Sequence, residues 1–342
     1  MLRPISTVPI FAVRGLLDGA RSKGLATRVW LEQVLGQARI SESLLHLEQS
    51  RVTVEQYIAL FNAVKDSLDD ECLGYLPGRP LRRGSFVLTV RSTLGARTLA
   101  AAARRMAEAF GLLQDDVRLV PIQDGALCGI ALEMRVPSHA HADFLHGLLL
   151  RVFWRLLVWL HGGRLVPCGF DFAFDEPAHA AGYSRIFTGT LRFGQARSAV
   201  WFDGQAFVQP MRRDTAALDA FVRATPDNLV GPHLHHGRMS KSASVRAFLQ
   251  QSCPEWPDLT ATAERLRISA SALQRHLATE GKSFQMLKDE LRRDMAIVRL
   301  TSTDVSLAAL AADLGFSDST AFQRAFKSWT GSTPGVYRAQ SR

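Results

Sequence analysis

The stretch Gly315-Phe-Ser-Asp-Ser-Thr-Ala-Phe-Gln-Arg-Ala-Phe-Lys-Ser-Trp-Thr-Gly-Ser-Thr-Pro334 decides the fold of the last third of the chain. Gly315 permits a sharp turn, and Ser317 is expected to begin a helix that ends at Gly331. The large apolar residues of this helix recur at the spacing of one helix face: Phe322, Phe326 and Trp329. A shorter apolar helix precedes the turn, so residues 307–330 are predicted to form a helix-turn-helix unit.

The same pattern occurs a second time in the chain. Leu259–Ser269 aligns with Leu307–Ser317 at an offset of 48 residues. Leu273-Gln-Arg275 then aligns with Phe322-Gln-Arg324 at an offset of 49 residues. The residues expected to cap and to end the second helix of this copy are Ser269 and Gly281. The repeat therefore predicts another helix-turn-helix unit over residues 259–280.

A continuous helix is predicted between the two copies. Apolar residues recur there at steps of three and four: Phe284, Leu287, Leu291, Met295 and Val298. This spacing predicts a linker helix over residues 284–300. The basic side chains that lie mostly off its apolar stripe are Lys288, Arg292, Arg293 and Arg299. Such a helix is ~25 Å long at 1.5 Å per residue. It is expected to hold the two units at successive major-groove segments, which are about 34 Å apart along a duplex.

The second helix of each copy carries a polar face opposite its apolar residues. These outward residues are Ser271, Gln274 and Arg275 in the first copy, and Ser319, Thr320, Gln323, Arg324 and Lys327 in the second. Arginine and glutamine form paired hydrogen bonds with guanine and adenine edges, and serine and threonine reach bases or phosphates. A solvated face would explain one such helix, but it fits poorly with the same Gln-Arg pair recurring in both copies. We therefore predict that these residues bind double-stranded DNA.

Positive charge is concentrated in the same region. The 342-residue chain carries 41 Lys and Arg against 32 Asp and Glu, a net charge of +9. Residues 238–342 contain 15 basic and 10 acidic side chains, whereas the other 237 residues contain 26 and 22. The excess of positive charge per residue is more than twice as high at the C-terminal end, which favours a polyanionic partner.

A loop rich in Gly, Pro and small polar residues separates two regions of different character. We predict a regulatory domain over residues 1–230, a linker over 231–243 and a DNA-binding domain over 244–342. The linker contains three histidines: His233, His235 and His236. No carboxylate or cysteine accompanies them, so no metal site is predicted there.

The first 230 residues mix helix and strand signals. Apolar periodicity predicts helices over 9–24, 28–36, 53–68, 98–110, 142–160 and 215–224. Strand patterns occur over 86–90, 117–122, 127–136, 170–174, 191–193 and 199–202, with Asp124-Gly125 as a hairpin turn. Arg151 and Arg155 lie at the centre of the most apolar helix, which argues against a membrane span. The predicted fold is an α+β N-terminal domain followed by an all-α domain with two helix-turn-helix units joined by a linker helix.

The C-terminal repeat resembles the signature of AraC/XylS-family transcription regulators. The resemblance is carried by the stretch 315–334 with Tyr337-Arg338, and by Leu273-Gln-Arg275, Gly281 and Phe284 in the first copy. It implies sequence-specific binding beside promoters, usually to activate transcription by contacting RNA polymerase. The base-facing positions of the family fall on Ser271, Gln274, Arg275, Ser319, Thr320, Gln323 and Arg324. Ser271 replaces the larger side chains often found at its position, so we expect weaker base readout by the first unit.

The N-terminal region resembles, less specifically, the ligand-sensing domain of the ornithine-regulator-like branch of this family. The matching parts are residues 92–99, 177–183, the pair Phe187 and Phe193, and residues 209–214. The resemblance implies a small-molecule effector of unknown identity. Trp154, Trp159 and the alternating aromatics of 170–174 either line an apolar pocket or belong to the core, so no ligand-binding residues are predicted.

No catalytic residue, metal or cofactor is predicted. Gly281-Lys-Ser283 is like the end of a P-loop, but His276 occupies the place of a required glycine. The four cysteines lie far apart, without a CxxC pair. The sequence indicates a cytoplasmic regulator that is not an enzyme, with no membrane association and with a homodimer left open. The alternatives are an enzyme tethered to DNA by its basic end, and a constitutive DNA-binding protein that binds no ligand.

Overall fold

The protein folds as two compact units in the computed structural model, which describes residues 5–135, 142–177, 180–211, 213–225 and 240–340. What we call the terminal unit comprises, of these, residues 5–13, 35–57 and 240–340. What we call the central unit comprises residues 14–34 and the described residues between 58 and 225. Most of the predicted linker, with its three histidines, lies outside the described residues, so the predicted domain boundaries stay a prediction.

The elements are numbered along the chain. Up to residue 225 they are β1 (Thr7–Pro9), α1 (Ile10–Ser22), α2 (Arg28–Ala38), β2 (Arg51–Thr53), α3 (Val54–Leu68), α4 (Ser85–Ser92), α5 (Leu99–Leu113), β3 (Val117–Asp124), β4 (Leu127–Met134), α6 (Ala142–Leu160), β5 (Gly169–Asp171), β6 (Thr190–Arg192), β7 (Ser198–Asp203), α7 (Gln205–Val208) and α8 (Thr215–Arg223). Short 3-10 helices cover Glu42–His46 and Ala180–Arg185. After residue 240 they are α9 (Lys241–Gln251), α10 (Leu259–Arg265), α11 (Ala270–Thr279), α12 (Phe284–Ser302), α13 (Leu307–Asp313), α14 (Ser319–Thr330) and α15 (Pro334–Gln340).

A five-stranded sheet organises the central unit. Its strand order is β3-β4-β7-β5-β6, and every neighbouring pair is antiparallel except β5 with β6. The hairpin predicted at Asp124-Gly125 joins β3 to β4, and Gly125 has the positive φ of 54° that such a tight turn favours. Helix α5 packs on β3, and α6 packs on β4 and β7. The predicted α+β class of this region is confirmed.

Helix α6 is the most apolar of the described helices and belongs to the core of the central unit. Its fully or nearly buried residues include Leu149, Leu150, Phe153, Leu156 and Leu157. Arg151 and Arg155 are partly buried beside this face. Within the described residues, no helix combines the length and the hydropathy that crossing a membrane requires.

One predicted strand is a helix. Residues 86–90 were expected to be extended, but they lie inside α4. Its buried residues are Ser85, Thr89 and Val90. Thr89 and Val90 follow Ser85 by four and five positions, so all three lie towards one face of the helix. A short continuous apolar run is compatible with both a buried strand and a buried helix segment, so periodicity alone does not separate the two.

The terminal unit is built around α12. This helix contacts α9, α14 and α15, and also the strands β1 and β2 from the start of the chain. Its buried residues are Leu287, Leu291, Asp294, Ala296, Ile297 and Leu300, whereas Met295 and Val298 of the predicted stripe are only half-buried. The buried surface is wider than one stripe because the neighbours surround the helix. The predicted all-α arrangement of two helix-turn-helix units and a linker helix is confirmed.

A buried carboxylate on α12 holds the first strand of the chain. Asp294 is 3% exposed, and its Oδ1 accepts a hydrogen bond from Thr7 Oγ1 at 2.5 Å. Arg51 on β2 donates to Thr7 Oγ1 at 2.6 Å and to the Thr7 carbonyl at 2.7 Å. Arg246 on α9 donates to Asp294 Oδ2 and to the Ile5 carbonyl. Both strands are thereby joined to α9 and α12 through a single acidic group.

Three arginines of this cluster hold the Asp294 carboxylate in its charged form. Burial would raise the pKa of Asp294, but Arg246, Arg293 and Arg51 outweigh that effect and hold the pKa below its ordinary value. Arg293 Nη2 lies 3.2 Å and Arg51 Nε 3.8 Å from Oδ1. Asp294 therefore carries its negative charge in the folded protein at neutral pH, surrounded by three guanidinium groups.

Candidate nucleic-acid interface

The first helix-turn-helix unit consists of α10 and α11. Arg267, in the turn, has a φ of +57°, the left-handed conformation that reverses the chain between the helices. Ser269 caps α11, since its Oγ accepts a hydrogen bond from the Ala272 amide at 3.2 Å. Leu273 and Leu277 are fully buried and fix the inner face of α11. The predicted serine cap, and the positive φ of 67° at Gly281, are both present.

The second unit consists of α13 and α14 and follows the same plan. Gly315 has a φ of +71° in its turn and Gly331 a φ of +76° at the end of α14, as expected. The start of α14 differs by one residue from the prediction. The cap is Asp318 rather than Ser317, because Asp318 Oδ1 accepts the Ala321 amide at 2.7 Å. That hydrogen bond is the main cause that lowers the pKa of Asp318.

The inner face of α14 is aromatic. Phe322 and Phe326 are fully buried, with ring centroids 5.8 Å apart. Phe326 meets Tyr337 of α15 edge-on at 5.3 Å, and Phe322 lies 5.7 Å from Phe316 in the turn. These rings fix the rotation of α14 about its axis, and thus decide which of its residues point away from the unit.

The predicted DNA-binding residues lie off the buried faces of both second helices. The exposed ones are Ser271, Gln274, Arg275, Thr320, Arg324 and Lys327. Ser319 and Gln323 are half-buried, and Gln323 Nε2 donates to Ser319 Oγ at 3.2 Å. Each helix thus presents one polar face, on which the Gln-Arg pair occupies equivalent positions. That these side chains contact bases stays a prediction.

Arg292 on α12 connects the two helix-turn-helix units. Its guanidinium carbon lies 5.0 Å from the ring centroid of Trp256, which precedes α10, and 5.0 Å from that of Phe316. Arg292 Nη2 also donates to the Gly315 carbonyl at 3.1 Å. Trp256 Nε1 donates to the carbonyl of Asp313, at the end of α13. These contacts fix the turn of the second unit against the segment that leads into the first.

The basic residues of α12 therefore contact other parts of the protein more than the sequence indicated. Lys288 donates to the Trp256 carbonyl at 3.1 Å, and Arg299 donates to Asp313 Oδ2 at 3.0 Å. Arg293 lies against the buried Asp294. Asp294 was the sequence signal that could have predicted these internal contacts. An acidic residue three positions after Leu291 falls on the apolar face of the predicted helix, where it requires basic partners.

Side chains that could ligate a metal ion are dispersed in the described parts of the chain. No group of three or more His, Cys, Asp or Glu side chains lies close enough there to hold an ion. The histidines of the predicted linker lie outside the residues that the structure describes.

Two protein-family models and several curated relatives match this chain. A family model described as the arabinose-binding domain of AraC transcription regulator, N-terminal, matches residues 30–211, and a helix-turn-helix domain model matches residues 262–340. The chain is 24% identical to the ornithine utilization regulator of Pseudomonas aeruginosa, over 97% of this chain and 96% of that protein. It is 30% identical to an uncharacterized HTH-type transcriptional regulator of Mycobacterium tuberculosis, over 96% of this chain and 95% of that protein. Among solved structures, the transcriptional regulator CdpR from Pseudomonas aeruginosa matches 96% of this chain and 98% of that chain, at 17% identity and a TM-score of 0.32.

Proposed function

Because the chain belongs to the AraC family of transcription regulators, we propose that it is a one-component activator whose two helix-turn-helix units read successive major-groove segments of a promoter. The observation that carries this proposal is the repeated geometry of α11 and α14. Both helices begin at a side-chain cap, bury one apolar face and present a Gln-Arg pair on the opposite face. Two such helices supported by one linker helix suit an asymmetric site on a single duplex.

The proposed readers of base edges are Ser271, Gln274 and Arg275 on α11, and Ser319, Thr320, Gln323 and Arg324 on α14. Arg324 has the strongest expected role, because an exposed guanidinium pairs with two acceptors of guanine in the major groove. Lys327, one turn further along α14, is proposed to contact phosphate, where a point charge is sufficient. The 19 residues of α12 correspond to ~28 Å, close to the spacing of successive groove segments.

The remaining features of the proposal concern regulation. We propose that residues 1–230 sense a small-molecule effector, that 231–243 link the two regions, and that 244–342 bind DNA. The effector would shift the protein between two states that differ in affinity for DNA. RNA polymerase is the proposed partner at the promoter, the cytoplasm the proposed location, and a homodimer the proposed assembly. The proposal assigns no enzymatic activity to the chain.

Replacing Arg324 by alanine tests the proposed readout. A duplex selected from a randomised library supplies the cognate site, and fluorescence anisotropy measures affinity for cognate and random DNA. We expect Arg324→Ala to lose about 1–3 kcal/mol on cognate DNA and to relax specificity at one base pair. Gln285→Ala, an exposed position on α12 outside both proposed reading helices, is the control and should bind as wild type. Equal losses on cognate and random DNA would contradict base readout by Arg324.

Replacing Arg292 by alanine tests the connection between the units. We expect the affinity for a two-segment site to fall by ~10-fold, since two cation–π contacts of about 0.5–2 kcal/mol each are removed. Affinity for a duplex that carries one segment should change little. Arg292→Lys should not restore binding, because an ammonium group does not stack as a planar guanidinium does. Gln285→Ala on the same helix is the control, and equal effects on both duplexes would show that Arg292 does not set the spacing.

One experiment distinguishes a DNA-tethered enzyme from a ligand-responsive regulator. Purified protein is incubated with candidate metabolites, and both metabolite turnover and DNA mobility are followed. A ligand-dependent change in DNA binding without turnover supports the regulator, whereas turnover supports the enzyme. DNA binding that no metabolite changes would favour the constitutive DNA-binding protein.

A further inference from the structure

A buried histidine in the central unit has an unused hydrogen-bonding group. His146 on α6 is 3% exposed, and its Nδ1 lies 2.6 Å from Ser198 Oγ on β7. Its other ring nitrogen, Nε2, is buried and has no hydrogen-bond partner among the described residues. Buried polar groups are nearly always paired, because an unpaired one destabilises the fold. A group of this kind calls for an explanation beyond packing.

The partners of Ser198 decide which nitrogen of His146 carries the proton. Ser198 Oγ accepts a hydrogen bond from the Ala173 amide at 2.9 Å. Among the described residues the Ser198 hydroxyl has no other acceptor, so its proton is donated to His146 Nδ1, which then acts as the acceptor. Burial, opposed by the smaller effect of Asp143, lowers the pKa of His146 to about 4, so the imidazole is neutral near pH 7. The neutral ring therefore carries its proton on Nε2, a donor that lacks an acceptor.

The surroundings of His146 are aromatic. Its ring meets Phe174 edge-on at a centroid distance of 5.8 Å. Phe172 lies at the centre of the cluster, with Phe193, Tyr183 and Phe187 at 5.1, 5.2 and 5.3 Å. Phe172 is fully buried, whereas Phe174 and Phe193 are only partly covered. The rings are thus closely packed around Phe172, and two of them, Phe174 and Phe193, are partly exposed beside the short edge strand β6.

We propose that this cluster, defined by His146, Phe172, Phe174, Tyr183 and Phe193, is an effector site for a flat, uncharged, apolar molecule whose carbonyl oxygen accepts a hydrogen bond from His146 Nε2. The proposal rests on the proposed function, since it names the ligand class that the regulator senses. Flat apolar bodies gain by stacking on aromatic rings. The partly covered rings of Phe174 and Phe193 are the ones that a ligand displaces on entry.

The charge of the site selects a neutral ligand over a carboxylate. One neutral N–H donor does not compensate the desolvation of a buried carboxylate, which requires pairing with cations or several donors. Asp143, the charged residue that acts on His146, adds repulsion. A ketone, amide or lactone oxygen needs only the single donor that the site offers. Because His146, Ser198 and Ala173 belong to α6, β7 and the segment after β5, such a ligand contacts a network that joins three parts of the unit.

The test uses the full-length protein and three probes of similar size: acetophenone, ethylbenzene and benzoate. Titration calorimetry is expected to show acetophenone binding at least 10-fold more tightly than either other probe. His146→Phe should abolish this preference while still accepting ethylbenzene, because the donor at Nε2 is removed. His146→Gln, whose amide nitrogen reaches the position of Nε2, should keep the preference. Histidine-selective ¹⁵N NMR should show the proton on Nε2 and a shift of that signal with acetophenone.

Several results would overturn the proposal. These are absence of acetophenone binding at its solubility limit, equal binding of the three probes, the same preference in His146→Phe, or a proton on Nδ1. DNA binding of the same samples, measured by anisotropy without a probe, keeps the two hypotheses apart. If the probes fail and DNA binding persists, the effector site is wrong and the DNA-binding function stands. If DNA binding is absent while acetophenone binds selectively, the site stands and the proposed function fails.

Discussion

Replacing Phe322 by alanine is expected to unfold the second helix-turn-helix unit, with a loss of about 3–5 kcal/mol in the free energy of unfolding. Phe322 is fully buried and packs against the rings of Phe326 and Phe316. Apart from Leu307 and Leu310, the apolar residues of α13 are alanines, whose side chains are too small to refill the cavity. Urea denaturation followed by circular dichroism, together with anisotropy on cognate DNA, measures the loss of stability and of binding.

Two further variants locate this effect. Phe322→Leu keeps most of the apolar volume and should lose less than half as much stability as Phe322→Ala. Ser328→Ala, on the exposed face of α14, should leave the unfolding curve unchanged. Amide hydrogen exchange is expected to increase mainly in α13 and α14 of the Phe322→Ala protein. An unchanged melting curve for Phe322→Ala would show that the inner face of α14 has been assigned wrongly.

Local signals were sufficient to predict the two helix-turn-helix units. Their apolar residues repeat with helical spacing, and their ends carry residues suited to helix termini, such as the capping Ser269 before α11 and the left-handed Gly331 after α14. The one-residue error at α14 has a local cause. Ser317 and Asp318 are both good caps, and Asp318 takes this role in the structure because its carboxylate bonds to the Ala321 amide.

Other features depend on contacts that are distant in sequence, and periodicity does not report them. β1 and β2 are three residues long, too short for a recognisable alternation. Their position in the terminal unit depends on pairs such as Thr7 with Asp294, which are 287 residues apart. The donor on His146 is likewise visible only once α6, β7 and the segment after β5 are assembled. Sequence spacing predicted most of the longer elements, but neither these two short strands nor the polar contacts between elements.

The position of α12 explains why its charged residues are structural. Arg292 contacts the turn of the second unit, and Asp294, two residues later, contacts β1 and α9. The same helix therefore fixes the spacing of the proposed DNA-reading helices and binds the start of the chain. A substitution at Asp294 is expected to lower the stability of α12 and, through it, of both helix-turn-helix units.

Replacing Asp294 by asparagine is expected to lower the free energy of unfolding by about 3–5 kcal/mol at pH 7, because it leaves three buried or partly buried arginines without their common acceptor. The amide oxygen of the new side chain would still accept the hydrogen bond from Thr7, so the loss reports mainly on charge. Asp289→Asn, a more exposed carboxylate on the same helix, should lose less than about 1 kcal/mol and serves as the control. Urea denaturation of the full-length proteins gives both values.

The pH dependence of this difference identifies its origin. The pKa of Asp294 is lowered in the folded protein, so its contribution is complete above the pKa of the unfolded chain, about 3.9, and is lost as pH falls through the lower folded value. Asparagine has no charge at any pH. The difference between wild type and Asp294→Asn should therefore stay constant from pH 7 to 5 and shrink below pH 4. A difference that persists undiminished into strong acid would mean that the carboxylate acts through its shape and hydrogen bonds, and that the three arginines do not depend on its charge.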